Sequence, residues 1–587
     1  MEGRLYQADV VSISVALKRS SVPIATALAV LVAGCSSLLG ETPVDPSPGD
    51  ASASSSDSAT TPSSLDPCVR FTGDHSTDVD TGTLAGDALY LSGEVFLCAD
   101  DVVVVGASDL NEIAVASQLA AAVSGPLLFP DARLGAELGR LKPERVHVIG
   151  SPGVNVPTGA DTVTHDVSSA VELTRESLGA EGGVSLPSVP DSSTIVETVQ
   201  AISQADRVAL PVVATTQSSS PSTTGAAESR IDESELVAGL AQPSESETVW
   251  LVDAAKPETI LLASAVGKSL GSSVLAIDTD DVLGYPQVGE AIGGRSGEAT
   301  RFIGGTPPSA DWELAVLANG QQLPGGGYEV LPEDQMRRYV AFYGHPGTDD
   351  LGVLGEQGPA ETRARMQEFV DAYSGDGAEV IPAYEIIVSV ASAGAGDDGD
   401  YSTEWPPGTF EDWISFARDN GMYVLLDLQP GREDFLSQAM IYEELLHLPF
   451  VGLALDPEWR LKSDQVHLEQ TGTVDGAEIN QVVEWLADLV RDNGLPQKML
   501  LLHQFKTSMI TNRDQVVERP ELQVVVQMDG DGTEAQKDVT WSNLKQGADD
   551  AHWAWGWKNF FDEDEPGPPT PESTMSKTPT PIYVSYQ

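Results

Sequence analysis

Residues 422–459 read MYVLLDLQPGREDFLSQAMIYEELLHLPFVGLALDPEW. Two apolar runs, Met422–Leu428 and Val451–Asp456, flank an amphipathic stretch, Phe435–His447. Strand, helix, strand is the repeating unit of a parallel sheet. The rhythm continues in both directions. Further strand candidates are Val340–Tyr343, Val380–Val390, Lys498–Gln504, Leu522–Met528, His552–Trp557 and Ile582–Tyr586. Helical stretches fall at Glu361–Tyr373, Phe410–Asn420 and Ala477–Asn493, and Gly421 and Gly494 stand where helix C-caps belong. Eight strands with intervening helices in about 250 residues is the size of a (β/α)8 TIM-like barrel, here spanning 333–587. An open doubly wound sheet is the alternative.

A barrel gathers its chemistry at the C-terminal strand ends, and polar residues concentrate there. The first strand ends Tyr343-Gly344-His345, and the second carries Tyr384 and Glu385. The third ends Asp427-Leu428-Gln429, and the fourth Asp456-Pro457-Glu458-Trp459. The fifth ends His503-Gln504, the sixth reaches Asp529, and the seventh carries Trp555. Alternation along a strand puts Asp456 and Glu458 on one face, about 7 Å apart at Cα. Asp427 and Gln429 share a face on the neighbouring strand. Carboxylates converging on one mouth suit acid–base work, because a neighbour pushes one of them to a raised pKa while another stays ionised. Glycoside hydrolysis needs such a pair. Glu458, Asp456 and Asp427 are therefore the catalytic candidates. His345, Glu385, Gln429, Trp459, His503, Gln504, Asp529 and Trp555 are the substrate-binding candidates. The competing reading is structural: acids at strand ends cap turns and pair with arginines such as Arg432 or Arg460, and most tryptophans are core.

Other chemistries find less support. No His-x-x-x-His or paired-Cys ligand pattern is present, so no metal site is assigned, although Asp427, Asp456, Glu458 and His503 form a conceivable ligand set. Gly267-Lys268-Ser269 lacks the P-loop glycine upstream, where Leu262 stands. Gly394–Gly399 fits G-x-G-x-x-G, but its aspartates would repel phosphate. No cofactor is expected. The Asp-x-Glu at the end of the fourth strand resembles that of barrel-fold muramidases and related glycosidases. The resemblance implies Glu458 as general acid, with Asp456 or Asp427 orienting water or stabilising positive charge. Those enzymes also carry an Asp after the first strand, where this chain has Tyr343-Gly344-His345. An inactive glycan-binding barrel fits the same pattern.

Upstream, Val102–Val105, Leu127–Phe129 and Arg145–Gly150 read as strands separated by helices. Val249–Val252, Val274–Ala276 and Arg301–Gly304 repeat the series, with Ile260–Ser264 answering Ile113–Ser117. Asp166–Glu176 and Thr194–Val213 fit a degenerate middle copy, and Thr215–Ser229 is a low-complexity insertion. The segment VVVVGASDLNEIAVASQLAAAVSGPLLF, followed by LKPERVHVIG, resembles the type 2 cell-wall-binding repeat of Gram-positive surface proteins. The resemblance implies a duplicated parallel α/β module over 67–330 that binds a cell-wall polymer.

The N-terminus adds an address. Lys18 and Arg19 precede an apolar run ending Val32-Ala33-Gly34-Cys35. This is a signal-peptide layout, too short to span a bilayer, and it resembles the lipobox of bacterial lipoproteins. That implies removal of residues 1–34 and lipidation of Cys35, a membrane anchor. Residues 35–66, rich in Ser, Pro, Asp, Ala and Thr, read as a tether, a composition common in actinobacterial lipoproteins. Of the three cysteines, Cys68 and Cys98 then remain to pair in an oxidising compartment. The formal charge of −57 repels nucleic acid and anionic lipid, so nucleic-acid binding is excluded. The sequence thus describes a cell-envelope lipoprotein, wall-associated and extracytoplasmic, with a glycosidase-like barrel. The alternative is a non-catalytic glycan-binding or structural surface protein.

Overall fold

The computed structural model describes residues 68–69, 78–106, 108–150, 159–177, 185–186, 210–211, 248–270, 272–278, 281–293, 300–332, 335–545 and 553–587. The expected signal peptide, Cys35, the tether, the insertion 215–229 and most of 194–213 lie outside them. Among the described residues no helix is long and apolar enough to cross a membrane.

The C-terminal region closes into an eight-stranded parallel barrel. Its strands are β1 (Arg337–Gly344), β2 (Glu379–Ala391), β3 (Tyr423–Leu428), β4 (Val451–Leu455), β5 (Lys498–Gln504), β6 (Leu522–Met528), β7 (Ala554–Asn559) and β8 (Tyr583–Tyr586). Each pairs with its chain neighbours, and β1 pairs with both β2 and β8, so no sheet edge is left. That closure rules out the open sheet. Differences from the sequence reading are local. β7 begins and ends two residues later than the expected His552–Trp557, with His552 outside the described residues. The helix expected at Phe435–His447 breaks into Phe435–Ile441 and Glu443–Leu446. β2 runs past the barrel rim and folds back on Ser402–Glu404 as an antiparallel hairpin.

Large and small side chains share the barrel interior. Gly452 on β4 lets the Tyr423 hydroxyl pass and accept the Met499 amide at 3.0 Å; a Cβ at Gly452 would lie 2.8 Å from that hydroxyl. Tyr339 packs edge-on against Tyr423, ring centroids 5.4 Å apart.

Before the barrel lie two larger parallel sheets and a two-stranded one that pairs 185–186 with 210–211. In the first, 101–105 sits between 127–128 and 145–149, and 161–165 extends the far edge. In the second, 249–253 sits between 273–277 and 300–303. Helices Leu110–Ala122 and Pro257–Leu270 pack on each other between them. Val167–Ser177 of the suggested middle copy is helical. Trp312 Nε1 donates to Leu495 O at 2.9 Å and Asn319 Nδ2 to Gly494 O at 3.0 Å. These contacts fall just before β5 starts, so this region abuts the barrel at the end away from its mouth.

Cys68 and Cys98 form a disulfide, with Cα atoms 4.8 Å apart. It ties the start of the described chain to the segment that follows helix Leu84–Val95. Cys68→Ser is expected to cost about 2–4 kcal/mol in denaturant unfolding, mainly by freeing the unfolded chain. A midpoint unchanged by the substitution would contradict a structural role for the bridge.

Candidate active site

Eight strands place their inward side chains in one buried layer beneath the mouth. Glu385 comes from β2, Asp427 from β3, Asp456 follows β4, His503 ends β5, Asp529 follows β6 and Lys558 is on β7. His503 stands at the centre. Its Nδ1 is 3.1 Å from Asp529 Oδ2. Its Nε2 is 2.8 Å from Glu385 Oε1, close enough for ion pairing though off the hydrogen-bonding line. Asp427 Oδ1 is 3.6 Å from the same nitrogen. Lys558 Nζ lies 3.1 Å from Asp529 Oδ1 and 3.5 Å above the Tyr343 ring. Tyr343 donates to Asp427 Oδ2 at 2.9 Å, and Tyr583 to Glu385 Oε2 at 3.0 Å.

The electrostatics sort these acids into two kinds. Burial pushes Asp427 up to about 6, with Glu385 adding to the rise and His503 opposing it. Burial, with Asp427 and Glu458 nearby, raises Asp456 well above the carboxylate range. Burial and then Asp529 raise Glu458 to about 7. Burial would raise Asp529 as well, but Lys558 and His503 outweigh it and hold Asp529 below its ordinary value. His503 is raised well above the usual range: burial opposes its charge, but Asp529, Glu385 and Asp427 prevail. Lys558 is likewise raised by its acidic neighbours against burial. His503 and Lys558 are thus set as cations against the acids of this layer, with Asp529 between them, which is the pairing that charge in a low-dielectric layer requires.

These shifts make an unusual pH prediction. A carboxyl raised in the folded state binds more protons there than when unfolded, so stability falls as pH rises through the interval between the two values. For Asp427 and Glu458 that interval runs from about 4 to about 6 and about 7. The raised His503 contributes stability that is full below about pH 6.5 and lost as pH climbs through its higher folded value. Thermal unfolding is expected to occur at a higher temperature near about pH 5 than near about pH 8. Equal or higher stability at the alkaline value would contradict the assignment of these protons.

Asp456, Glu458, Gln429, Trp459, Asp529 and Lys558 line a cavity of about 350 Å³ that opens at the strand ends. Gln429 is fixed by the Ala391 amide on its Oε1 (3.0 Å) and donates to the Tyr343 hydroxyl (3.3 Å). Gly344, at φ +147°, lets the 349–355 loop close in; a Cβ there would stand 2.8 Å from Leu351 O. The sequence expectation for Asp456 and Glu458 needs a correction. They do not share a strand face, because β4 ends at Leu455 and Pro457–Trp459 forms a 3-10 turn. Asp456 Oδ1 caps that turn by accepting the Glu458 amide at 3.2 Å. The turn nevertheless brings both residues to the cavity. Neither is paired with Arg432, which donates to Gln465 O, nor with Arg460, which pairs with Glu478.

The expected residues divide by depth and facing. Glu385, Asp427 and His503 form the floor. Three others lie elsewhere. Trp555 faces outward from β7 against Trp541, ring centroids 5.4 Å apart, because the interior positions of that strand are Gly556 and Lys558. Gln504 points outward by the same alternation and ties Lys506 O and Arg513 together. His345 turns away from the cavity, its ring 4.8 Å from Trp405 and its Nδ1 accepting the Gly347 amide at 2.9 Å. Lys558, Tyr343 and Tyr583 were not singled out in the sequence. The signal for Lys558 was present: tryptophans at 555 and 557 on one face put residues 556 and 558 on the other. Asp398, Asp400 and Glu404, on the loop and hairpin after β2, bring carboxylate oxygens within 4.8 Å of one another, apart from this cavity.

No family model matches the chain, and no curated protein sequence does. Among solved structures, Cwp6 from Clostridium difficile aligns at 14% identity over 60% of this chain and 62% of its own, with a TM-score of 0.33. Cwp8 from the same organism aligns at 13% identity over 41% of this chain and 51% of its own, with a TM-score of 0.30. The chain spans less than two thirds of either protein, and at these TM-scores the likeness assigns no function.

Proposed function

We propose that the protein is an envelope glycosidase: lipid-anchored through Cys35, held at the cell wall by 67–330, and hydrolysing a glycan in its barrel. One observation carries the catalytic part. A carboxyl raised to about 7, Glu458, lines the same cavity as Asp529, a carboxyl held below its ordinary range. Glycosidic cleavage needs that division of labour. Glu458 delivers its proton to the leaving oxygen as the C–O bond breaks. Asp529, positioned by Lys558 and His503, offers negative charge to the sugar carbon or to the attacking water. Asp456 and Asp427, which the motif resemblance put in that second role, are pushed toward their neutral forms and serve better as hydrogen-bonding supports. Anchoring and wall association rest on the lipobox-like Val32–Cys35 and on the repeat-like segments.

The test is reducing-end release by the full chain from purified cell walls and a panel of polysaccharides, beside Glu458→Gln. Release that vanishes in the variant supports the reading. Release that persists moves the acid elsewhere, and no release from any glycan removes the enzyme assignment.

A further inference from the structure

The cavity is acidic beyond what hydrolysis requires. Asp350, Asp456, Glu458, Asp529, Asp531 and Glu563 line it, and Lys558 is its one basic lining residue. Lys558 is only 2% exposed and already faces Asp529 at 3.1 Å. Asp531 and Glu563 are exposed at the rim and form no ion pair among the described residues, although Asp531 acts through space on the buried Lys537. Burial raises Glu563, and the charges of Asp562 and Asp531 add to the rise, so these acids repel one another. Asp456 is 3% exposed, and its Oδ1 is satisfied by the Glu458 amide. Its second oxygen has no hydrogen-bond partner among the described residues. Between the acids stand aromatic faces: Tyr343, Trp459, Phe505 and Phe560. Trp459 packs edge-on against His467, at 5.3 Å, and His467 against Tyr401, at 6.3 Å, with the Arg432 guanidinium over the Tyr401 ring at 4.4 Å.

We propose that the substrate is an amino-sugar chain bearing free amines, a de-N-acetylated glycan, rather than a neutral or anionic wall polymer; this rests on the glycosidase reading above. An ammonium on each sugar answers the unpaired rim carboxylates, and Trp459 offers a ring for the sugar's C–H face, whereas Tyr343, Phe505 and Phe560 already hold Lys558 or Lys506. An anionic polymer meets like charge on entry. An N-acetylated chain gains the stacking without the ion pairs.

The full chain is assayed on fully de-N-acetylated glucosamine and galactosamine oligosaccharides, on the same oligosaccharides re-acetylated, and on an anionic wall polymer. Binding of the same ligands to wild type and Glu458→Gln is measured by calorimetry at low and high salt. Cleavage of the free-amine chains at least about tenfold above the others is expected. Asp531→Asn/Glu563→Gln should raise KM on them about tenfold at low salt, an effect that shrinks as salt rises. Equal or better cleavage of acetylated or anionic chains overturns the substrate class and leaves the glycosidase standing. Salt-sensitive binding of free-amine chains without cleavage, weakened in the rim variant, keeps the free-amine chain as the cavity's ligand and overturns its role as a substrate together with the hydrolase. Neither binding nor cleavage of free-amine chains overturns the inference, as does tighter binding of spermine or a lysine-rich peptide than of the oligosaccharides.

Discussion

Glu458→Gln is expected to lower kcat/KM on an unactivated glycan by about 10²–10⁴-fold. The amide keeps the size and the hydrogen-bonding capacity of the side chain but cannot deliver a proton to a departing alkoxide. A glycoside whose leaving group departs as a stable phenolate needs no such proton, so the variant should retain far more of its rate there. That split between leaving groups separates a general acid from a residue that merely shapes the cavity. Stability should not suffer, because Glu458 makes no side-chain ion pair among the described residues and burial already favours its neutral form. Equal losses on both substrate types would contradict the assignment.

His503→Leu should act on folding as strongly as Glu458→Gln acts on rate. The imidazole stands between Glu385 and Asp529, with both acids and the ring fully buried or nearly so. Removing it leaves two carboxylates in a low-dielectric layer with Lys558 as their one cation. Breaking a buried pair in this way costs about 3–5 kcal/mol. The comparison is made near about pH 5 and near about pH 8, below and above the ordinary histidine value. Adding Glu385→Gln to His503→Leu should restore part of the loss, since it removes one of the stranded charges. Denaturant midpoints at the two pH values measure this. A loss below about 1 kcal/mol at both would mean that His503 is a neutral spacer.

Much of the barrel was legible because buried parallel strands are nearly continuous apolar runs, and runs such as Val451–Leu455 admit few other readings. Strand ends were less so. Asp456-Pro457-Glu458 looks like a strand continuing, but Pro457 begins a 3-10 turn and the Asp caps it. Collecting polar residues at strand ends still brought together Glu385, Asp427 and His503, which the fold buries in one layer. It also collected Trp555 and Gln504, which face outward, because an aromatic or an amide at a strand end advertises chemistry on whichever side it faces; only the register of the strand decides the side. The floor pairing of His503 with both Glu385 and Asp529 joins three strands far apart in sequence, and no local pattern announces it. The same holds for Asp529 as the ionised acid: its low value comes from Lys558 and His503, which only barrel closure brings together.

The most direct measurement is the pH dependence of kcat/KM for glycan hydrolysis by the full chain, wild type against Glu458→Gln. Wild type should show a falling limb with an apparent pKa of about 7, where Glu458 loses its proton, and the limb should be absent from the variant's residual rate. A limb that survives the substitution, or activity that rises through this range in wild type, would contradict Glu458 as the acid.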